Sequence, residues 1–284
     1  MNPTSELEYA EYRPIGPLAL RVRCLWSLRA PADPNTGFEP VFPDGCMELV
    51  FNLADQFERA EGNTVERQER TLLVGQLPGP VRIRPTGVTD IVGIRFQPWG
   101  LWRVSPLDPI ELFGRTVPGD VLAPNLPGGI LSALAEVHGL EERCRFLARI
   151  LASGLLPALC EPPPAALVAL AEGRVRSVSE AAGLAGITPR HLERLSSQWI
   201  GMPPHELVRL ARFQRALRRL RHRPSHPLSR IALESGFADQ AHFTRDFGRF
   251  AGVTPSAFRA SISDLTASFI GSLEGDAPAL GLGD

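Results

Sequence analysis

A repeat near the C-terminal end constrains this chain most. Ala182 is followed four residues later by Gly186, and 50 residues on Ala232 is followed by Gly236. Leu192 and Arg194 recur at an offset of 51 as Phe243 and Arg245. Each copy reads as helix, tight turn, helix. The crossing needs a small residue, and the reversal needs a glycine at positive φ. Val178 and Ala181 lead the first copy, and Leu228 and Ile231 lead the second. Thr188 caps a helix opened by Pro189, and Asp239 or Ala238 begins the matching helix of the second copy. Between the copies runs PPHELVRLARFQRALRRLRHR. Leu210, Phe213, Leu217 and Leu220 form its apolar stripe, and Arg209, Arg212, Arg215, Arg218 and Arg219 fill the other positions. That is a long amphipathic helix with a basic face.

Two helix-turn-helix units on one long helix resemble the DNA-binding domain of AraC/XylS-type transcription regulators. The residues that carry the resemblance are AGITPRHLERL, IGMPPHELVRLARFQRALRRL and IALESGFADQAHFTRDFGRFAGVTPSAFR. They cover about a third of the chain, and their spacing is far more specific than a lone helix-turn-helix. One departure is Ser196, where the family usually has an aromatic residue; Trp199 is expected to fill that volume. The resemblance implies that the second helix of each unit enters a major groove. The implied readers are Arg190, Glu193 and Arg194 in the first unit, and Gln240, Ala241, His242 and Arg245 in the second, with Thr244 on phosphate. Arginine suits guanine O6/N7, glutamine suits adenine, and an alanine methyl suits thymine. Glu193 is expected either to accept from cytosine or to orient a neighbouring arginine. Leu192, Phe243, Phe247 and Phe258 are expected in the core. The implied partners are double-stranded DNA, RNA polymerase, a small-molecule effector and a second copy of the chain.

Net charge at first argues against such a role. The chain has 284 residues and a formal charge of -1. The sum hides a partition: residues 1–164 carry 15 Arg against 20 acids, 165–262 carry 15 Arg against 7, and 263–284 carry 4 acids and no base. These parts carry -5, +8 and -4, so the positive charge sits on the repeat. Every basic residue is arginine, which reads as a composition bias of the genome. If about six phosphates were neutralised, log K would fall with log salt at a slope near -5.

The N-terminal half has a different period. Short apolar runs at Leu18–Leu28, Met47–Leu53, Thr71–Val74, Val81–Ile83 and Ile91–Phe96 are separated by Gly and Pro, which predicts a β-rich, barrel-like domain. Asp55–Arg70 is expected as a solvated loop or hairpin tip. Leu131–Leu159 switches to helical spacing, broken near His138–Gly139, and EPPPAA at 161–166 is expected to act as a hinge. The segments EYRPIGPLA, FPDGCMELVFNL, VGQ and VGIRFQPWG resemble a sensor-like domain that precedes this reader in a bacterial subfamily. The expected fold class is α+β in two domains: β-rich 1–160, all-α 161–262, and a disordered acidic tail 263–284.

An enzyme, or an adaptor fused to a helix-turn-helix module, is the alternative. A His/His/carboxylate metal site finds only His138 before residue 165, and no GxSxG, P-loop or dinucleotide fingerprint is present. No metal or cofactor is expected. In FPDGCMELVFNL, Cys46, Glu48, Val50 and Asn52 share one strand face. With Gln76 and Arg95 they would line a small polar ligand pocket, unless Glu48 and Arg95 simply pair to support the fold. Cys46 reads as a buried structural thiol rather than a sensor. Four scattered cysteines, no long apolar run and an acidic N-terminus suit a cytoplasmic protein.

Overall fold

The computed structural model describes residues 7–62, 64–155, 161–260 and 277–280. Its N-terminal part supplies strands β1 (Glu8–Pro14), β2 (Val22–Ala30), β3 (Glu39–Val41), β4 (Glu48–Asn52), β5 (Phe57–Glu61), β6 (Thr64–Arg67), β7 (Thr71–Val74), β8 (Val81–Pro85), β9 (Thr89–Phe96) and β10 (Thr116–Pro118). Helices α1 (Pro109–Leu112), α2 (Ile130–Glu136) and α3 (Leu140–Ile150) complete it. The C-terminal part is helical: α4 (Ala165–Ala171), α5 (Val178–Leu184), α6 (Pro189–Trp199), α7 (Pro204–His222), α8 (Leu228–Ser235), α9 (Gln240–Ala251) and α10 (Pro255–Ala260). A last short strand, β11, is Ala279–Leu280.

The strands form a seven-stranded sheet, β10-β7-β4-β9-β2-β1-β11, and a four-stranded sheet, β3-β8-β5-β6. Alternation along each strand divides the large sheet's two faces. Leu49, Phe51, Leu73, Val92, Ile94 and Phe96 point to one core with Leu134, Cys144 and Leu147 of α2 and α3. Trp26, Leu28 and Ile91 point the other way, to Phe57 and Ile83 of the small sheet. A buried ion pair between Arg143 and Asp90 ties α3 to β9, and Arg143 also donates to the Val137 carbonyl at 3.0 Å.

The expected barrel does not close. Strands β3, β8, β5 and β6 pair only among themselves, and the large sheet ends in β10 and β11. Both β3 and β10 are three residues long and contain proline, which cannot donate to a further ladder. The segment Asp55–Arg70 is the β5–β6 hairpin rather than an open loop. The first apolar run also differs: Pro17 opens a 3₁₀ turn at Gly16–Leu20, and the strand starts at Val22.

The acidic tail is not structureless throughout. Ala279 and Leu280 pair in parallel with Arg13 and Pro14, and Leu280 is 2% exposed in the large sheet's core. The edge of β1 offers backbone groups that need partners, and an apolar PAL segment supplies them. The Arg13 amide donates to the Pro278 carbonyl at 2.8 Å. Residues 263–276 and 281–284 lie outside the described residues.

Candidate nucleic-acid interface

Both repeats fold as their spacing predicts. Ala182 and Ala232 are buried where the helices cross, and Gly186 and Gly236 turn the chain at φ +64° and +93°. Each second helix is capped by a side chain: Thr188 Oγ1 accepts from the His191 amide at 3.2 Å, and Asp239 Oδ1 from the His242 amide at 2.7 Å. Asp239, not Ala238, therefore begins α9. A cap at this position satisfies one of the four orphan amides of a helix start.

The capped ends carry the expected readers. Arg190, Glu193 and Arg194 are exposed on α6 and border a shallow depression with Thr188, His191 and Ser197. Arg194 Nη2 lies 3.4 Å from His191 Nε2. On α9, Gln240, Ala241 and Arg245 are exposed. Arg190 and Arg245 make no ion pair among the described residues. Two readers are otherwise engaged. His242 stands edge-on to Phe237, with Nε2 3.3 Å from Asp246 Oδ2, so its ring braces the turn rather than facing outward. The Thr244 hydroxyl donates to the Gln240 carbonyl at 2.8 Å.

The basic face of α7 is not a free phosphate surface. Arg209 pairs with Asp246 at 2.7 Å and Glu206 at 3.2 Å. Arg212 donates to the Arg176 carbonyl at 3.1 Å. Arg215 donates to the carbonyls of Gly173, just past α4, and Ser235, at the end of α8, at 3.1 and 3.2 Å. Arg219 and Arg223 each lie 3.5 Å from Glu234. Arg215 thus satisfies carbonyls at the C-terminal ends of two helices, while Arg209, Arg219 and Arg223 are taken up by carboxylates. The basic face was legible in the sequence, but the carbonyls and carboxylates that its arginines reach were not.

Ser196 is fully buried and its hydroxyl donates to the Met202 carbonyl at 2.5 Å. Trp199 is also buried. It stacks on Trp102 of the N-terminal part, ring centres 3.4 Å apart and 18° from parallel. The N-terminal part meets the helices at further points. Phe42 packs edge-on against Phe213 and Phe258, and α1 packs against α6. At Gly201, φ +80°, an added Cβ would stand 2.2 Å from the Pro109 oxygen.

The five candidate ligand residues separate. Glu48, Asn52 and Arg95 line a cavity of about 190 Å³ between the two sheets, whereas Cys46 and Gln76 do not. Arg95 is buried between Glu48, its direct partner, and Asp44 Oδ2 at 3.4 Å. Burial pushes the Glu48 carboxyl up, and Arg95 opposes it. Gln76 is buried and donates to the Gly45 carbonyl at 3.0 Å. Burial, reinforced by Asp44, pushes the Cys46 thiol up to about 12, so it is a structural thiol beside Arg23. Among the described residues, no three His, Cys, Asp or Glu side chains are placed to hold a metal ion. No described helix is long and apolar enough to cross a membrane.

Residues 181–261 match the family described as a helix-turn-helix domain. The C-terminal unit is an AraC-type helix-turn-helix domain. Residues 10–118 match a domain of unknown function, DUF6597. Part of the chain is 37% identical over 78 residues to the HTH-type transcriptional regulator GlxA of Rhizobium meliloti (strain 1021). That match covers 28% of this chain and spans about a quarter (24%) of the relative's length. Among solved structures, unsaturated fatty acid-bound ToxT from Vibrio cholerae strain SCE256 aligns with a TM-score of 0.41 and 11% identity, covering 91% of this chain and 96% of that one. ToxT from Vibrio cholerae O395 aligns at 0.44 and 11%, covering 89% and 97%. The AraC-type domain thus coincides with the α5–α10 repeat, and α4, whose Leu167 and Leu170 are buried in the same core, precedes it.

Proposed function

We propose that the protein is a sequence-specific, double-stranded-DNA-binding transcription regulator rather than an enzyme, its reader modulated through the N-terminal domain. The observation that carries this reading is the pair of capped helix starts, on α6 and α9, with exposed Arg190, Glu193 and Arg194 on one and Gln240, Ala241 and Arg245 on the other. Both are mounted on α7, whose 19 residues make a strut of about 28 Å. That length suits two major grooves one turn, about 34 Å, apart on one face of a duplex. Arg190, Arg194 and Arg245 read guanine, Gln240 reads adenine, and Ala241 touches a thymine methyl. Glu193 accepts from cytosine, while His242 and Thr244 hold the reading helix in place.

Residues 1–160 form the modulating domain and 161–262 the reader. Contacts at Trp102, Phe42 and Pro109 support coupling between them, since they reach α6, α7 and α10. A small-molecule effector, a second copy and RNA polymerase are the proposed partners, in the cytoplasm. Selection of bound sequences from a random duplex pool tests the reading. The expected product is a bipartite site with half-sites about 10 base pairs apart. Arg245→Ala is expected to erase preference in one half-site while leaving weak, salt-sensitive binding. An unenriched pool, or a preference that Arg245→Ala leaves intact, would refute it.

A further inference from the structure

The cavity between the two sheets is apolar along much of its wall, but its charges are not balanced. Trp26 and Ile91 of the large sheet and Phe57 and Ile83 of the small one line it. So do three arginines and two glutamates: Arg59, Arg70, Arg95, Glu48 and Glu69. These five are not equivalent. Arg95 is buried and is taken by Glu48 and by Asp44. Arg70 and Glu69 are exposed, so water screens them. Arg59 is matched least. Its side chain is 16% exposed, and the carboxylate it meets, Glu61, lies 3.6 Å away and is 84% exposed. Inside the cavity it reaches a neutral group: Nη1 donates to Thr116 Oγ1 at 2.5 Å, and Thr116 is itself a lining residue. Arg59 Nε is buried without a hydrogen-bond partner among the described residues, and so is Trp26 Nε1.

Two unmet donors, one of them on a guanidinium, call for an acceptor. A buried donor without a partner is costly, and a buried cation beside neutral groups more so. A hydrocarbon guest would leave both donors unmet. A cationic guest would meet Arg59 with no free buried carboxylate, since Arg95 holds Glu48. An anion meets Arg59 with charge-assisted hydrogen bonds while its body covers apolar wall. The volume, about 190 Å³, is little more than the roughly 150 Å³ that holds benzene elsewhere, so it suits one ring with a short arm. We propose, resting on the regulatory reading and deepening it, that this cavity binds a small monocarboxylate with a single-ring apolar body, its carboxylate on Arg59 and its ring against Trp26 and Phe57. The Glu48–Arg95 pair stays intact and turns away a second charge. Val41 lines the same cavity, and the next residue, Phe42, packs on Phe213 of α7 and Phe258 of α10. The occupied wall thus lies one residue from the reader.

Three probes of one shape and different charge test this on the full chain: phenylacetate, phenylacetamide and phenylacetamidinium, titrated calorimetrically in neutral buffer. Phenylacetate is expected to bind about ten-fold more tightly than the amide, and the amidinium more weakly than either. Arg59→Met keeps the stem and removes the charge and the donors. Acid and amide should then bind alike, with the amide's own affinity little changed; a merely loosened pocket would weaken both. Arg70→Ala, at the exposed rim, should leave the preference for the acid in place. Val50→Phe, which fills the cavity, should abolish binding of phenylacetate. The proposal is overturned if the amide or the amidinium binds as tightly as the acid, or if a chain that still selects DNA binds no phenylacetate. It is equally overturned if the acid preference survives Arg59→Met or is lost in Arg70→Ala, if Arg59→Met weakens acid and amide equally, or if Val50→Phe leaves binding unaffected. Loss of duplex selection with the order of the probes intact would overturn the regulatory reading and leave the ligand class standing.

Discussion

Arg215 reaches from the middle of α7 to two carbonyls at once, one just past α4 and one at the end of α8. Burial lowers its pKa, and the neighbouring arginines add to that, so its two carbonyl contacts hold a cation in unfavourable surroundings. Arg215→Met keeps the stem and removes both hydrogen bonds. The expected cost is about 1.5–3 kcal/mol, the range of hydrogen bonds to charged groups, read as a fall in Tm; an unchanged Tm would exclude the role. Asp246 acts at the same scale. Burial raises its pKa, but the Arg209 hydrogen bonds and the His242 ring outweigh burial and hold it below the usual range. A depressed carboxylate contributes stability above its unfolded pKa and loses it as pH falls through the folded value. Between about pH 5 and about pH 3, the wild type should therefore lose more Tm than Asp246→Asn. Equal acid limbs would remove Asp246 from the account. Such pairings were not legible in the sequence. A basic stretch states its charge but not its acceptors, and Arg209 meets Asp246 across 37 positions.

Elements were legible where local chemistry alone decides them. The alternation of β4 placed Glu48, Val50 and Asn52 on one face, and that face does line the cavity. Turn glycines and the Thr188–Pro189 start were also correct, because positive φ and capping are properties of a few adjacent residues. Sheet closure was not legible: whether strands complete a ring depends on ladders between distant edges, and proline-bearing β3 and β10 leave the barrel open. Gln76 failed for a related reason. It was expected to join the β4 face in lining a pocket, but its amide turns to the Gly45 carbonyl and it does not line the cavity. The capped start of α9 yields an element-scale prediction. Asp239→Ala leaves the His242 amide without its acceptor and is expected to cost about 1 kcal/mol. Hydrogen exchange should quicken at the first amides of α9 and not at those of α6. Uniform quickening in both helices would mean that the cap is not local.

At the scale of the molecule, the charge partition keeps its direction but changes its meaning. The net +8 in 165–262 is unchanged by these contacts, but Arg209, Arg212, Arg215, Arg219 and Arg223 are held within the reader, so few arginine side chains remain to reach phosphate. With about three cations released, log K should fall with log salt at a slope of about -3, not -5. What the charge pattern never indicated is how the two parts meet, because the packing is made chiefly by Trp102, Trp199, Phe42 and a glycine. Gly201 is the tightest point. It has φ +80°, where a side chain costs about 1–2 kcal/mol. A Cβ there would also meet the Pro109 carbonyl at 2.2 Å, so α1 must withdraw from α6. Gly201→Ala is thus expected to part the Trp102–Trp199 stack, visible as loss of its coupled near-ultraviolet circular dichroism. Arg190 stands at the opposite end of α6 from Trp199, so the selected DNA sequence should persist while any dependence of DNA affinity on a small-molecule effector disappears. A tryptophan signal that survives Gly201→Ala, or ligand dependence that survives loss of the stack, would show that the two parts communicate by another route.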